Sequence, residues 1–288
     1  MKFPSFSFRF WFVSLAASAI LGLSSGSNIA EAQFKVALSP LEKSLVPPRA
    51  GARVTDELTI ANTSPQALYF SSEIMDWTRE ISGQQKFVEG GTTPLSCAPW
   101  ISLNPPQFQL NPGQSIKVRY SIAPPAEITR EHRAIIFFTS RPIPMRGKAN
   151  IVNLVSVRLG AKVFLAPSKT PPSGARISEI IAPAEGDLRL KMQNEGAVSL
   201  RAKSAKIEAF DAAGTLVGNG ELAAPDAQIH PGDSRELPVK WTQQPPSGKT
   251  RFRVVVDYGG LTLAGAENTL DWTPKTLEAP VVEALPER

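Results

Sequence analysis

The chain has 288 residues, with 31 basic and 26 acidic side chains, 26 prolines, 20 glycines and a single cysteine. Its net charge of +5 is scattered among acids and turns, with no aromatic interleaving of the kind that stacks bases, which argues against a nucleic-acid partner. One cysteine, Cys97, leaves no internal disulfide, so the fold must be held by its own core, which one or two domains of this length can supply.

The first residues read as a cleavable signal peptide. Lys2 and Arg9 precede an apolar run from Phe10 to Leu23, and Ala30-Glu31-Ala32 stands before Gln33. The run is shorter than the roughly 20 residues a transmembrane helix needs. Cleavage after Ala32 leaves 29 basic and 25 acidic residues, a net of +4. No cysteine follows the run, which disfavours a lipid-anchored start.

From residue 33 onward nearly every segment has a period of two. Val54, Leu58 and Ile60 share one face against Thr55, Glu57 and Thr59. Ile116, Val118, Tyr120 and Ile122 repeat the pattern, as do Phe252, Val254, Val256 and Tyr258. Turn signals separate these runs about every ten residues: Asn62-Thr63-Ser64-Pro65, Pro112-Gly113, Gly218-Asn219-Gly220, Pro231-Gly232 and Gly259-Gly260. The pattern predicts an all-β chain of antiparallel sandwiches and no helix.

The stretch Leu165 to Arg176, rich in proline and small polar residues, reads as a linker. The halves on either side echo each other. Leu110 to Ile122 resembles Ile229 to Trp241, and Leu58 to Phe70 resembles Leu190 to Ala202. The expected organisation is therefore a leader at 1–32, one sandwich domain at 33–167, a second at 168–274 and a loose tail at 275–288.

Motifs for chemistry are sparse. His132 and His230 carry no ligand spacing, so neither a metal, a cofactor nor histidine-based catalysis is expected. Cys97, in PLSCAPW, reads as a small, partly buried residue. VGNG at 217–220 reads as a hairpin turn. Asn62 fits a glycosylation sequon, but an asparagine that closes a strand into a turn can cap backbone groups locally, and that reading is preferred.

The segment 150–167, NIVNLVSVRLGAKVFLAP, alternates apolar residues and carries one late cation. Ile151, Val155, Val157 and Leu159 fall on one parity, and Lys162 falls on the other. Two readings fit these residues alone: the valines pack inside their own sandwich with Lys162 solvated, or the apolar face is lent to a partner.

The order of motifs from Trp100 to Pro167 resembles the N-terminal domain of the periplasmic pilus (fimbrial) chaperone family. The matching pieces are Trp100-Ile101, Pro105-Pro106, Phe108 with Leu110, Pro112-Gly113, Val118-Arg119, Arg130-Glu131, Phe137, Ile143-Pro144 and KVFLAP at 162–167. The resemblance implies two immunoglobulin-like β-sandwich domains in tandem, set as a boomerang, that bind pilus subunits in the periplasm without catalysing a reaction. It implies that the donor strand, Ile151, Val155, Val157 and Leu159, fills a subunit's groove by β-augmentation and delivers the subunit to an outer-membrane usher. Burying four such side chains contributes on the order of 6 to 12 kcal/mol before ordering costs. It further implies that Lys162 binds the subunit's C-terminal carboxylate, and it admits a self-capping dimer. The family's second anchor is an arginine in the first strand. Here Lys43 is the nearest cation and Arg49 the fallback, and a lysine serves as a point charge but not as a bidentate fork. The alternative is an exported surface or adhesion protein in which the same strand is internal. A carbohydrate-binding accessory module would want clustered exposed aromatics, and the five tryptophans are spread too widely for that.

Overall fold

The computed structural model describes residues 35–146, 152–169, 173–183 and 187–274. The expected leader at 1–32, the tail at 275–288 and Ile151 lie outside them.

Alternation becomes strand throughout. The first half forms β1 (Val36–Ser39), β2 (Glu42–Leu45), β3 (Val54–Asn62), β4 (Leu68–Arg79), β5 (Gln85–Glu89), β6 (Ile101–Asn104), β7 (Gln107–Leu110), β8 (Ser115–Ile122), β9 (His132–Ser140), β10 (Ile143–Arg146), β11 (Val152–Val155) and β12 (Arg158–Leu165). The second half forms β13 (Ala175–Ile181), β14 (Arg189–Asn194), β15 (Leu200–Ala202), β16 (Ser204–Phe210), β17 (Leu216–Leu222), β18 (Ala227–Ile229), β19 (Ser234–Gln243), β20 (Gly248–Asp257) and β21 (Ala264–Trp272). Among the described residues the helical content is one 3-10 turn, Ala98–Trp100.

The described residues are all-β, two immunoglobulin-like sandwiches in tandem. In the first, the sheet β1-β3-β8-β6 faces the sheet β2-β12-β9-β4-β5, with β7 also paired to β4. Leu58, Ile60, Val118, Tyr120, Ile122, Phe70, Ile136, Phe138, Ala161, Val163 and Leu165 fill the space between them. In the second, one sheet runs β13-β14-β19-β17-β16-β20-β21. The long β19 pairs with β14 through residues 234–238 and with β17 through residues 239–243, which carries the sheet around its core. That core gathers Leu190, Met192, Ile207, Phe252, Val254, Val256 and Trp272.

The sequence echo is a shared device. Asn62 ends β3, fully buried, and its Nδ2 donates to the carbonyls of Gln66 at 2.8 Å and Leu110 at 3.0 Å, while its Oδ1 accepts from the Ser64 amide. Asn194 ends β14 and does the same with the carbonyls of Val198 and Ile229 and the Gly196 amide, at 2.8, 2.9 and 2.8 Å. Each asparagine's own carbonyl accepts from the glycine of a Pro-Gly turn, Gly113 and Gly232. Both glycines sit at positive φ, 76° and 81°, where a side chain would be strained. Asn62 thus caps backbone groups, and its amide is buried and engaged.

VGNG corrects an expectation. It lies inside β17 rather than at a turn, with an irregularity between Asn219 and Gly220. The glycines are needed because backbone comes close: a Cβ at Gly218 would stand 2.9 Å from the Gln243 carbonyl oxygen, and one at Gly220 would stand 2.9 Å from that of Lys240. The hairpin turn is earlier, where the Asp211 carboxylate accepts from the amides of Ala213 and Thr215 and Gly214 takes a positive φ of 82°. Cys97 is fully buried, and desolvation, with the nearby Asp76 charge, pushes its thiol far up.

Candidate functional site

β9 and β12 form one long antiparallel hairpin, extended beyond the sandwich by β10 paired with β11. The outer side of that hairpin is covered only in part. β2 joins β12 in parallel register from Lys162↔Glu42 to Leu165↔Leu45, and the first bond of that pairing runs from the Lys162 amide to the Leu41 carbonyl at 2.9 Å. From Val152 to Ala161 the outer edge has no strand partner among the described residues. The Val157 carbonyl bonds inward to the Ser140 amide, so by strand alternation the backbone groups of Arg158 and Gly160 point outward with those of Lys162.

Side chains along this edge sort into two groups. Ala161, Val163 and Leu165 are fully buried in the first core, and Leu159 packs against it. Val155 and Val157, farther out, are half-buried. Ile151 lies outside the described residues. On the opposite parity stand two apolar residues the sequence reading did not single out: Val152 is 57% exposed and Leu154 is 73% exposed. Both faces of β11 are therefore apolar beyond the sandwich's own needs.

The even-numbered side of β12 meets a second apolar layer outside the main core. Trp77, Ile135, Phe137 and Phe164 form it, with Met75 at its margin. Gly160 is required there, because a Cβ would stand 2.7 Å from Phe137 Cε1 and 2.9 Å from Ile135 Cδ1. Phe87 on β5 stacks edge-on against Phe137 at 5.0 Å and is 43% exposed, and Arg158 lies 4.0 Å over the same ring.

Lys162 stands where this layer meets the second sandwich. Its Nζ sits 4.8 Å above the Trp77 ring, and the Arg79 guanidinium sits 5.7 Å from it. With the Gln85 amide oriented so that both its polar atoms are satisfied, its oxygen accepts from Lys162 Nζ at 2.7 Å and from Arg79 Nη2 at 3.0 Å. Two cations thus converge on one oxygen. Burial, and then the Arg79 charge, hold the Lys162 ammonium below its usual range.

The cavity beside them has a volume of about 300 Å³ and takes its walls from both sandwiches. Glu42, Arg79 and Lys162 come from the first, and Arg201, Asp226, Gln228 and Arg235 from the second. Arg201 Nη2 bridges to Glu42 at 3.0 Å.

Lys43 does not join this group. It bonds to Asp56 at 2.8 Å, across the first sandwich, and it is Glu42 that lines the cavity from β2. The reason is parity, since neighbours on a strand point to opposite faces. Arg49 lies exposed in the turn before β3, where its carbonyl accepts from the Ala52 amide. The cation that meets Lys162 is Arg79, on β4. Nothing local marks Arg79, because its place beside Lys162 follows from β9 lying between β4 and β12.

Below the cavity the two sandwiches are bolted together. The Glu131 amide donates to the Ala197 carbonyl at 2.7 Å, the Glu236 amide to the Ile81 carbonyl at 3.0 Å, and Arg133 pairs with Asp233 at 3.2 Å. His230 is fully buried between Trp77 and Phe164, at ring distances of 4.7 and 5.6 Å. The Ser199 hydroxyl donates to Glu131 and meets His230 Nδ1 at 2.7 Å. A serine, a histidine and a carboxylate in contact invite comparison with a nucleophilic triad. The order is wrong for one, because the serine stands between the other two instead of beside a histidine that a carboxylate orients. Space is wrong as well, since the cavity at His230 holds only about 10 Å³.

No protein-family model matches the chain, and no curated protein matches it. Among solved structures it is similar to the class 5 fimbriae chaperone CfaA at 14% identity, covering 82% of this chain and 98% of that one with a TM-score of 0.47. It is similar to the SafB chaperone, solved in complex with the Salmonella enterica SafA pilin, at 16% identity, 83% and 97% coverage and a TM-score of 0.44. The E. coli chaperone DraB is 19% identical, with 83% and 97% coverage and a TM-score of 0.42. These are likenesses of chain course at low identity, and the function proposed below is carried by this chain's own residues.

Proposed function

We propose that this protein is a periplasmic chaperone that binds pilus or fimbrial subunits, completes their fold by lending a strand, and hands them on for assembly at an outer-membrane usher. The reading takes residues 33–167 as the subunit-binding domain and 168–274 as the second. The observation that carries it is continuity: a strand edge from Val152 to Ala161 that has no partner among the described residues runs directly into the paired cations Lys162 and Arg79. An extended chain laid along that edge gains ladder hydrogen bonds, and its apolar side chains meet Val155, Val157 and the exposed Val152 and Leu154. A chain that ends at the cavity presents its terminal carboxylate where the Gln85 oxygen now sits, within reach of both cations. Lys162 and Arg79 are then the carboxylate anchor, Ile151, Val155 and Val157 the lent side chains, and Leu159 the hinge of that face with the core.

The experiment is co-purification with a fibre subunit that lacks its last strand, for the native chain, Lys162→Ala and Val157→Asp. Both variants should keep the native circular dichroism and melting temperature while losing most of the subunit. Retention of the subunit by both variants sinks the reading. A Val157→Asp protein that unfolds makes the valine an internal core residue and favours a surface or adhesion protein of the same architecture.

A further inference from the structure

The cavity beside Lys162 holds more positive charge than one terminal carboxylate needs. Arg79, Lys162, Arg201 and Arg235 line it against two acids, Glu42 and Asp226, an excess of two charges. Arg201 is already occupied, by Glu42 at 3.0 Å and by the Asp226 carbonyl at 3.2 Å. Arg235 donates one nitrogen to the Gln228 carbonyl at 3.2 Å and has no carboxylate partner among the described residues. Arg79 keeps a buried Nε with no acceptor among the described residues.

Partly buried cations without counter-charges are costly, so an anionic ligand that supplies the missing charges binds there favourably. Burial, and then the Arg235 charge, hold the Arg79 guanidinium below its usual range, and burial alone does the same to Arg235. The cations also divide by origin. Lys162 and Arg79 rise from the first sandwich and share one acceptor position, while Arg235 stands on β19 across the cavity.

We infer that the cavity recognises a peptide whose last residue is acidic, with the terminal carboxylate held by Lys162 and Arg79 and the side-chain carboxylate of that residue held by Arg235. The inference rests on the strand-lending reading proposed above and adds the identity of the partner's last residue. A volume of about 300 Å³ accommodates both carboxylates of an aspartate or glutamate, and two negative charges match the excess of two.

The test uses the full chain and three synthetic peptides of one alternating apolar sequence, titrated by fluorescence anisotropy at low ionic strength. One ends in aspartate with a free carboxylate, one in asparagine with a free carboxylate, and one in asparagine amide. Binding should weaken by about tenfold or more from the first to the second, as expected for a lost charge-assisted contact, and again from the second to the third. Arg235→Gln should narrow the gap between aspartate and asparagine, and Arg235→Lys, which keeps the charge, should preserve it. Equal affinity for the aspartate and asparagine acids overturns the acidic last residue and leaves the terminal anchor standing. Equal affinity for all three peptides removes the anchor too, and no binding by any of them overturns both proposals.

Discussion

The two sandwiches share a module and differ in how they close. In each, a buried asparagine ends a strand, caps the following turn with its side chain and accepts from a Pro-Gly glycine with its carbonyl. The second sandwich then uses this frame fully: its sheet bends at β19, and β21 comes close to β13. The first, among the described residues, pairs the outer side of β12 for four residues and extends β11 past the core with apolar side chains in solvent. The proposed binding surface therefore lies where the common architecture is left incomplete, because unpaired backbone and uncovered apolar surface are what a partner can satisfy.

The largest test of this contrast uses the two most deeply placed tryptophans. Trp77 in the first half and Trp272 in the second are both essentially inaccessible. Replacing either with alanine should cost about 3–5 kcal/mol in chemical denaturation. Only Trp77→Ala should also weaken binding of a free-carboxylate peptide, because Trp77 is the floor under Lys162 and Arg79. Equal effects of both variants on binding would erase the functional difference between the halves.

Within the first sandwich the same contrast recurs along one strand. Val163 lies in the core and Val157 lies beyond it, six residues apart on the same parity. Val163→Ala should lower stability by about 1.5–3 kcal/mol, the worth of burying such a side chain. Val157→Ala should leave the denaturation midpoint near native and weaken subunit binding instead.

Much of this was legible in the sequence, and the boundary of what was legible is physical. Period-two alternation marks strands because each side chain senses only which face it is on, so Leu58, Tyr120 and Val254 could be placed without tertiary knowledge. The asparagine turns are legible from their near side, since Asn62 and Asn194 cap Gln66 and Val198 four residues on and each Pro-Gly pair announces its own positive φ, while the bonds between these asparagines and Leu110, Gly113, Ile229 and Gly232 are long-range and follow only from the fold. Gly218 and Gly220 were misread because their purpose is close approach by Gln243 and Lys240, residues twenty or more positions away. The cavity was hidden for the same reason. Arg79, Arg201 and Arg235 come from β4, β15 and β19, and no spacing in the chain records that two sandwiches bring them to Lys162.

The junction that brings them together should itself respond to pH. Burial, and then the charges of Arg133, Arg79, Lys162 and Arg201, push His230 down to about 2 in the folded protein. An unfolded histidine titrates near 6.5, so the stability tied to neutral His230 is present above that value and is lost as pH falls below it, by at most about 1.4 kcal/mol per unit. Burial raises Glu131 and Asp233, which take up protons more readily when folded and offset part of the loss as pH falls further. The melting temperature should therefore drop between pH 7 and pH 5, and His230→Gln should flatten that slope whatever it does to stability at pH 7. A native chain with no slope in that interval would mean the histidine is not held neutral by the junction.

The smallest expected effects separate two neighbouring residues. Lys43 and Glu42 sit side by side on β2, yet parity sends one to Asp56 on the first sandwich and the other to the cavity. Lys43→Ala removes a partly exposed ion pair, so it should cost about 1 kcal/mol or less and leave peptide affinity unchanged. Glu42→Gln removes one of the two acids facing four cations and releases Arg201 from its 3.0 Å partner. That change should tighten binding of a free-carboxylate peptide by a few fold at low salt, and the gain should shrink as salt screens the cavity. If Lys43→Ala weakens binding and Glu42→Gln does not strengthen it, the anchor lies on the other face of β2, and the assignment of the cavity falls with it.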